Sequence, residues 1–146
     1  MTFVGLPDSG FSIPMDSDSH FGGTNSGVRP MELVALGLAG CTAMDVLSIL
    51  QKKRQNVTGF EVKVDAPRSA EPPQVFTRAL IHYAVTGKNI AEAAVLRAIE
   101  LSVTKYCPVQ RMLEGAFPME LHYEIYEDEG GENRRLVCQG MWQESS

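Results

Sequence analysis

From Met31 to about Gln55 the chain reads MELVALGLAGCTAMDVLSILQKKRQ, with apolar residues on nearly every side of a helix over its first turns. This pattern predicts one long central helix, opened by Pro30 at its first position, rather than a surface helix with a single apolar stripe. Ala35, Ala39 and Ala43 recur at every fourth residue, with Gly37 and Gly40 between them, and such small side chains let another helix come close. Each interior glycine costs about 1 kcal/mol against alanine, so the pair predicts a tight contact that offsets the loss.

Elsewhere the apolar period shortens to two. Phe60, Val62 and Val64 alternate with polar neighbours, and Val75 to Val85 is rich in β-branched and aromatic residues, so both stretches are expected as strands around a Pro67–Pro73 loop. Met119 to Tyr126 alternates in the same way. Phe3–Val4 and Phe11–Ile13 flank the turn sequence Pro7-Asp8-Ser9-Gly10, which suits a short hairpin. Asn89 is expected to cap a second helix from Ile90 to about Tyr106, with Ala94, Leu96, Ile99, Val103 and Tyr106 on one side. Pro108 interrupts that pattern and opens a shorter helix, with Cys107 near its N-cap. The Ser-, Asp- and Gly-rich stretch from Met15 to Arg29 reads as a loop, either a plain connection or a flexible cover over a site. Residues 1–127 are expected to form the domain, and 128–146 an appended tail of which Val137 and Trp142 could dock part. The order is that of an α+β fold. One small domain can hardly cover an apolar helix of about 25 residues, and a second copy of the chain is the simplest source of cover.

Composition narrows the function. A length of 146 residues fits one compact domain. The net charge of -5 argues against a nucleic-acid partner, because phosphate binding needs a basic face. Lys52, Lys53 and Arg54, the one basic run, suit the carbonyl end of the long helix. Met1 to Gly10 lacks the pattern of a secretory signal, and no uninterrupted apolar run of roughly 18–20 residues suggests a membrane span. Three cysteines without an export signal favour reduced thiols and a cytoplasmic location.

Cysteine is also the candidate chemistry. Cys41, midway along the long helix, has a plain reading as a small core residue. Cys107, at a helix N-terminus, is expected to be the more acidic thiol, because unpaired N–H groups stabilise a thiolate there. Asp45 lies one turn beyond Cys41, and a carboxylate beside a thiol opposes its ionisation. A compensating cation would have to come from elsewhere. Arg29 is about 18 Å from Cys41 along a straight helix, which leaves Arg111 or an arginine of a second subunit. Cys138 reads as incidental, and His20, His82 and His122 show no metal-ligand spacing with the cysteines, so no metal is expected.

The stretch Gly23-Thr24-Asn25-Ser26-Gly27-Val28-Arg29-Pro30-Met31-Glu32-Leu33, leading to Gly40-Cys41-Thr42, resembles the first cysteine helix of the OsmC/Ohr family. Lys105-Tyr106-Cys107-Pro108-Val109 resembles the family's second cysteine motif, and the separation of the two cysteines is similar as well. The resemblance covers most of Met1 to Glu127. It implies an antiparallel sheet packed on two cysteine-bearing helices in an intertwined homodimer. It also implies a peroxidase that reduces organic hydroperoxides, with Cys41 as peroxidatic thiolate and Cys107 as resolving thiol. No bound cofactor is implied, only an external dithiol or lipoyl-type reductant.

The chain departs from the Ohr-type pattern at two places. Met31 stands where those members carry a catalytic glutamate, and Glu32 comes one place late, about 100° round the helix. No arginine precedes Arg29, where Ohr-type members use one in an N-terminal hairpin. The thiol pair carries over, while the arginine–glutamate apparatus does not, as in a divergent branch. A second reading therefore stands beside the enzyme: a non-catalytic module of the same fold that binds an apolar ligand or senses oxidation.

Overall fold

The computed structural model describes residues 1–144 and divides into two compact units, Met1–Gly37 and the remainder from Leu38. In the first unit, β1 (Phe3–Gly5) and β2 (Ile13–Met15) form the expected hairpin. Its turn is closed by Gly10 N–H donating to Pro7 O at 2.9 Å, with Gly10 at φ +89°, where a side chain would be strained. The following loop is organised around one carboxylate. Asp16, whose side chain is fully buried, accepts from the hydroxyls of Thr2, Thr24 and Ser26 and from the N–H groups of Ser17, Thr24 and Ser26. The Ser26 hydroxyl foremost, then the Thr24 N–H, holds its carboxyl far below the usual range. The stretch is thus knitted to a fixed point, which its Ser, Asp and Gly content did not reveal.

The long helix, α1 (Pro30–Lys52), starts at the proline and ends at the basic run. Beyond it, β3 (Asn56–Asp65), β4 (Ala79–Lys88), β5 (Met119–Asp128) and β6 (Arg134–Trp142) form one sheet in the order β3-β4-β5-β6. The α+β class is as expected, but the sheet is mixed: β4 and β5 run parallel, and the outer pairings are antiparallel. The reason is the connection. Between β4 and β5 the chain crosses through α2 (Glu92–Leu101), a π-helical turn (Ser102–Tyr106) and α3 (Pro108–Leu113), and a helical crossover joins parallel strands. Asn89 is not the helix cap: it takes φ +52° in the turn after β4, and Ala91 occupies the cap position.

The supposed tail from 128 onward is corrected too, because β6 closes the sheet beside β5, with their hairpin turning through Gly130 and Gly131. As an edge strand, β6 carries Arg134, Arg135 and Gln139 and has Cys138 and Gly140 on its inner side, so its alternation is faint in sequence. Gly140 is required there, since a Cβ would meet the Tyr123 hydroxyl at 2.6 Å.

One face of the sheet carries the core. Ile81, Tyr83 and Val85 of β4 and Leu121, Tyr123 and Ile125 of β5 pack with Leu38, Val46 and Leu50 of α1 and with Val95, Ala98 and Ile99 of α2. The core stripe of α1 repeats every fourth residue, as a helix packed on one side requires. Among the described residues, the other sides of α1 are only partly covered by the chain. Nothing lies within 4 Å of a Cβ built on Gly40, and Met44 is 75% exposed. By length and composition α1 even matches a membrane span, with a mean hydropathy of 2.0. Glu32, Thr42, Asp45 and Ser48 interrupt it, so the expectation of no uninterrupted apolar run of that length still holds for this helix.

Candidate functional site

Cys41 and Asp45, four residues apart, share one side of α1 because a helix brings such positions one above the other. Cys107 comes to them from the crossover. After α2 the helix widens into its π turn, which ends as Cys107 N–H donates to Ser102 O at 2.8 Å. Such turns are rare and concentrate at functional sites. Pro108 cannot continue the helix above it but suits the first position of a new one, so α3 restarts with Cys107 as its N-cap. The outcome is a cluster in which the two Sγ atoms and one Asp45 carboxylate oxygen all lie within 4.8 Å of one another. Cys41 is half-buried and Cys107 only 2% exposed.

Cys107 Sγ accepts from the Gln110 N–H at 3.4 Å, as an N-cap side chain does. The expectation of an acidic Cys107 is nevertheless overturned. Burial pushes its thiol up to about 11, with lesser upward pushes from Cys41 and Asp45, and the one N–H bond pulls the other way without prevailing. The stability consequence has a definite sign. The unfolded thiol ionises near 9.0 and the folded one near 11, so between those values the unfolded state holds fewer protons. Stability is therefore full below about pH 9 and falls as pH rises toward 11. Urea melts across this window should show a smaller alkaline loss in Cys107→Ser than in the native chain. Equal losses would mean that this thiol is not held protonated by the fold.

Beside the thiols runs a chain of hydroxyls. Ser102 Oγ donates to Asp45 Oδ2 at 3.2 Å, Thr42 Oγ1 lies 2.9 Å from Ser102 Oγ, and Tyr83 OH lies 2.6 Å from Thr42 Oγ1. Each hydroxyl has one proton to give, and an ionised carboxylate only accepts. The arrangement that satisfies every member therefore donates from Tyr83 to Thr42, from Thr42 to Ser102 and from Ser102 to Asp45. Thr42, Tyr83 and Ser102 are at most 0% exposed, and burial drives the Tyr83 phenol well above its ordinary range. Next to Cys107, Gln110 is buried as well, and its Oε1 has no hydrogen-bond partner among the described residues.

The other sequence candidates have partners of their own. Arg29 donates to the carbonyls of Asp16 (3.3 Å) and Gly27 (3.0 Å) and to Asn25 Oδ1, so its guanidinium fastens the loop before α1. Glu32 Oε2 accepts from the Arg29 N–H at 2.8 Å, the return half of a capping box. Arg111 pairs with Glu114 at 3.1 Å on α3 and is 74% exposed, turned to solvent. Cys138 packs in β6 against the core. His82 and His122 are strand side chains in register, each facing a carboxylate, Glu124 at 3.4 Å and Glu120 at 3.2 Å. His20 is exposed in a short helical turn. The hydroxyls of Thr42, Ser102 and Tyr83 gave no sequence signal, since they come from three elements that only folding brings together.

The model of a family described as OsmC-like protein matches residues 23–122, which include both thiols. Protein YhfA of Escherichia coli (strain K12) is 44% identical over 125 residues, 86% of this chain and 90% of that protein. A hypothetical protein from Aquifex aeolicus superposes with a TM-score of 0.77 at 27% identity, over 88% of this chain and 89% of that one. The fold is also that of an organic hydroperoxide resistance protein from Legionella pneumophila, with a TM-score of 0.58 at 20% identity, covering 86% and 96% of the two chains.

Proposed function

The chain belongs to the OsmC-like protein family, and from that premise we propose that it is a thiol-dependent peroxidase acting on organic hydroperoxides. The observation that carries this reading is the asymmetric pair of thiols within 4.8 Å, one half-exposed and one buried. Cys41 attacks the O–O bond as a thiolate, becomes a sulfenic acid and releases the alcohol. Cys107 then condenses with the sulfenic acid, forming the Cys41–Cys107 disulfide and releasing water. An external dithiol or lipoyl-type reductant returns both thiols. The buried, protonated Cys107 suits the second role, because it stays out of contact with peroxide until Cys41 has reacted. The apolar residues around Cys41 on α1 favour a lipophilic hydroperoxide over hydrogen peroxide. Reduced thiols of this kind suit the cytoplasm.

The test is consumption of an organic hydroperoxide with a dithiol reductant, by the native chain and by Cys41→Ser. Turnover should vanish in the variant. If the native chain shows none, the reading as a module that binds an apolar ligand or senses oxidation takes its place. The Asp45 carboxylate in the cluster, one of the groups that push the Cys107 thiol up, favours that second reading.

In this proposal the working unit is a homodimer joined along α1. Support comes from the open flank at Gly40, the exposed Met44 and the burial of only 28% of the helix's most apolar window. Sedimentation at low concentration should find dimers; a folded monomer there would refute the arrangement.

A further inference from the structure

We propose that Cys41, Asp45 and Cys107 together form a binding site for a thiophilic divalent cation of the Zn2+ kind. Their three ligand atoms already lie within 4.8 Å of one another. In a tetrahedral zinc site with bonds of about 2.3 Å, two sulfurs stand roughly 3.8 Å apart. Bringing the two sulfurs onto an ion thus needs a contraction of at most about 1 Å, within the reach of side-chain rotation. Two sulfurs and one oxygen select against Mg2+ and Ca2+, which demand more oxygen ligands, and in favour of a soft or borderline ion.

Charge and orientation both support occupancy. A dication that replaces the two protons of the dithiol leaves the net charge of the cluster unchanged, so this partly buried site gains no uncompensated charge. Ser102 holds Asp45 by Oδ2 and leaves the other carboxylate oxygen for a metal. Behind it, Thr42 and Tyr83 complete a fixed outer shell of the sort that orients metal ligands. Three protein ligands leave a fourth position for solvent, and half-buried Cys41 provides access.

A bound ion and a hydroperoxide would compete for the same sulfurs. Oxidation of the metal-bound pair takes two electrons from the two thiolates, forms the S–S bond and releases the ion unchanged. The hydroperoxide accepts those electrons with two protons from solvent and leaves as alcohol and water. This consequence rests on the peroxidase reading, whereas metal binding itself does not.

Reduced, chelator-treated native protein should be titrated anaerobically with Co2+ alone, then with Zn2+ against a chromophoric indicator and no peroxide present. One ion per chain is expected, with sulfur-to-cobalt charge-transfer absorption and the intense visible bands of tetrahedral Co2+, both removed by Zn2+. Cys41→Ser and Cys107→Ser should lose these signals, Asp45→Asn should weaken binding at least about tenfold, and Cys138→Ser should match the native chain. Circular dichroism of the isosteric Asp45→Asn variant separates ligand loss from unfolding. Failure to bind stoichiometrically, a weak octahedral cobalt spectrum, or undiminished affinity in folded Asp45→Asn and Cys107→Ser would overturn the proposal.

Discussion

Oxidised with one equivalent of an organic hydroperoxide, the Cys107→Ser variant is expected to stop at a Cys41 sulfenic acid, where the native chain proceeds to a Cys41–Cys107 disulfide. The expectation follows from position. Cys107 is the thiol within 4.8 Å of Cys41, while Cys138 sits in β6 outside that cluster. A serine keeps the N-cap oxygen that the start of α3 needs, so the helix should remain. With no resolving thiol, dithiol-dependent turnover should fall by roughly two orders of magnitude or more, in line with the loss of a reacting group. Intact-mass measurement distinguishes the products, since the native chain loses two hydrogens and the variant gains one oxygen. Rapid turnover by Cys107→Ser would remove the buried thiol from the mechanism and leave a one-cysteine peroxidase.

The second large effect concerns stability. Thr42→Val keeps the shape of a fully buried side chain but removes the central member of the hydroxyl chain. Tyr83 OH is then buried without its partner, while Ser102 still donates to Asp45. An unsatisfied buried group costs about 1–3 kcal/mol beyond the bond itself, so a loss of about 2–4 kcal/mol is expected for Thr42→Val. Tyr83→Phe in the same background should cost less than it does alone, because the group it removes is already unpaired. Urea midpoints at constant slope give all four corners of this cycle. Strict additivity would show that Thr42 and Tyr83 do not share a hydrogen bond.

Much of this molecule is written in local pattern. The existence of the long helix α1, the proline that opens it, the β3 and β5 alternation and the Cys107-Pro108 helix start all follow from rules spanning a few residues, and the structure has them where those rules put them. The two cysteine motifs, Gly40-Cys41-Thr42 and Tyr106-Cys107-Pro108, were legible through their resemblance to a family pattern, which implied their pairing. What local pattern could not decide was contact between distant segments. The parallel pairing of β4 with β5 depends on a crossover closing over the sheet, and β6 gains its place from a neighbour rather than from its own weak alternation. Cys107 is the clearest case. Its position at a helix start argued for an acidic thiol, yet its burial in the folded chain makes desolvation the larger effect and raises its pKa to about 11. The sequence by itself determined which residues could carry chemistry. Tertiary structure alone decided that two thiols, a carboxylate and three hydroxyls meet, because burial and mutual distance belong to the folded chain and not to any stretch of it.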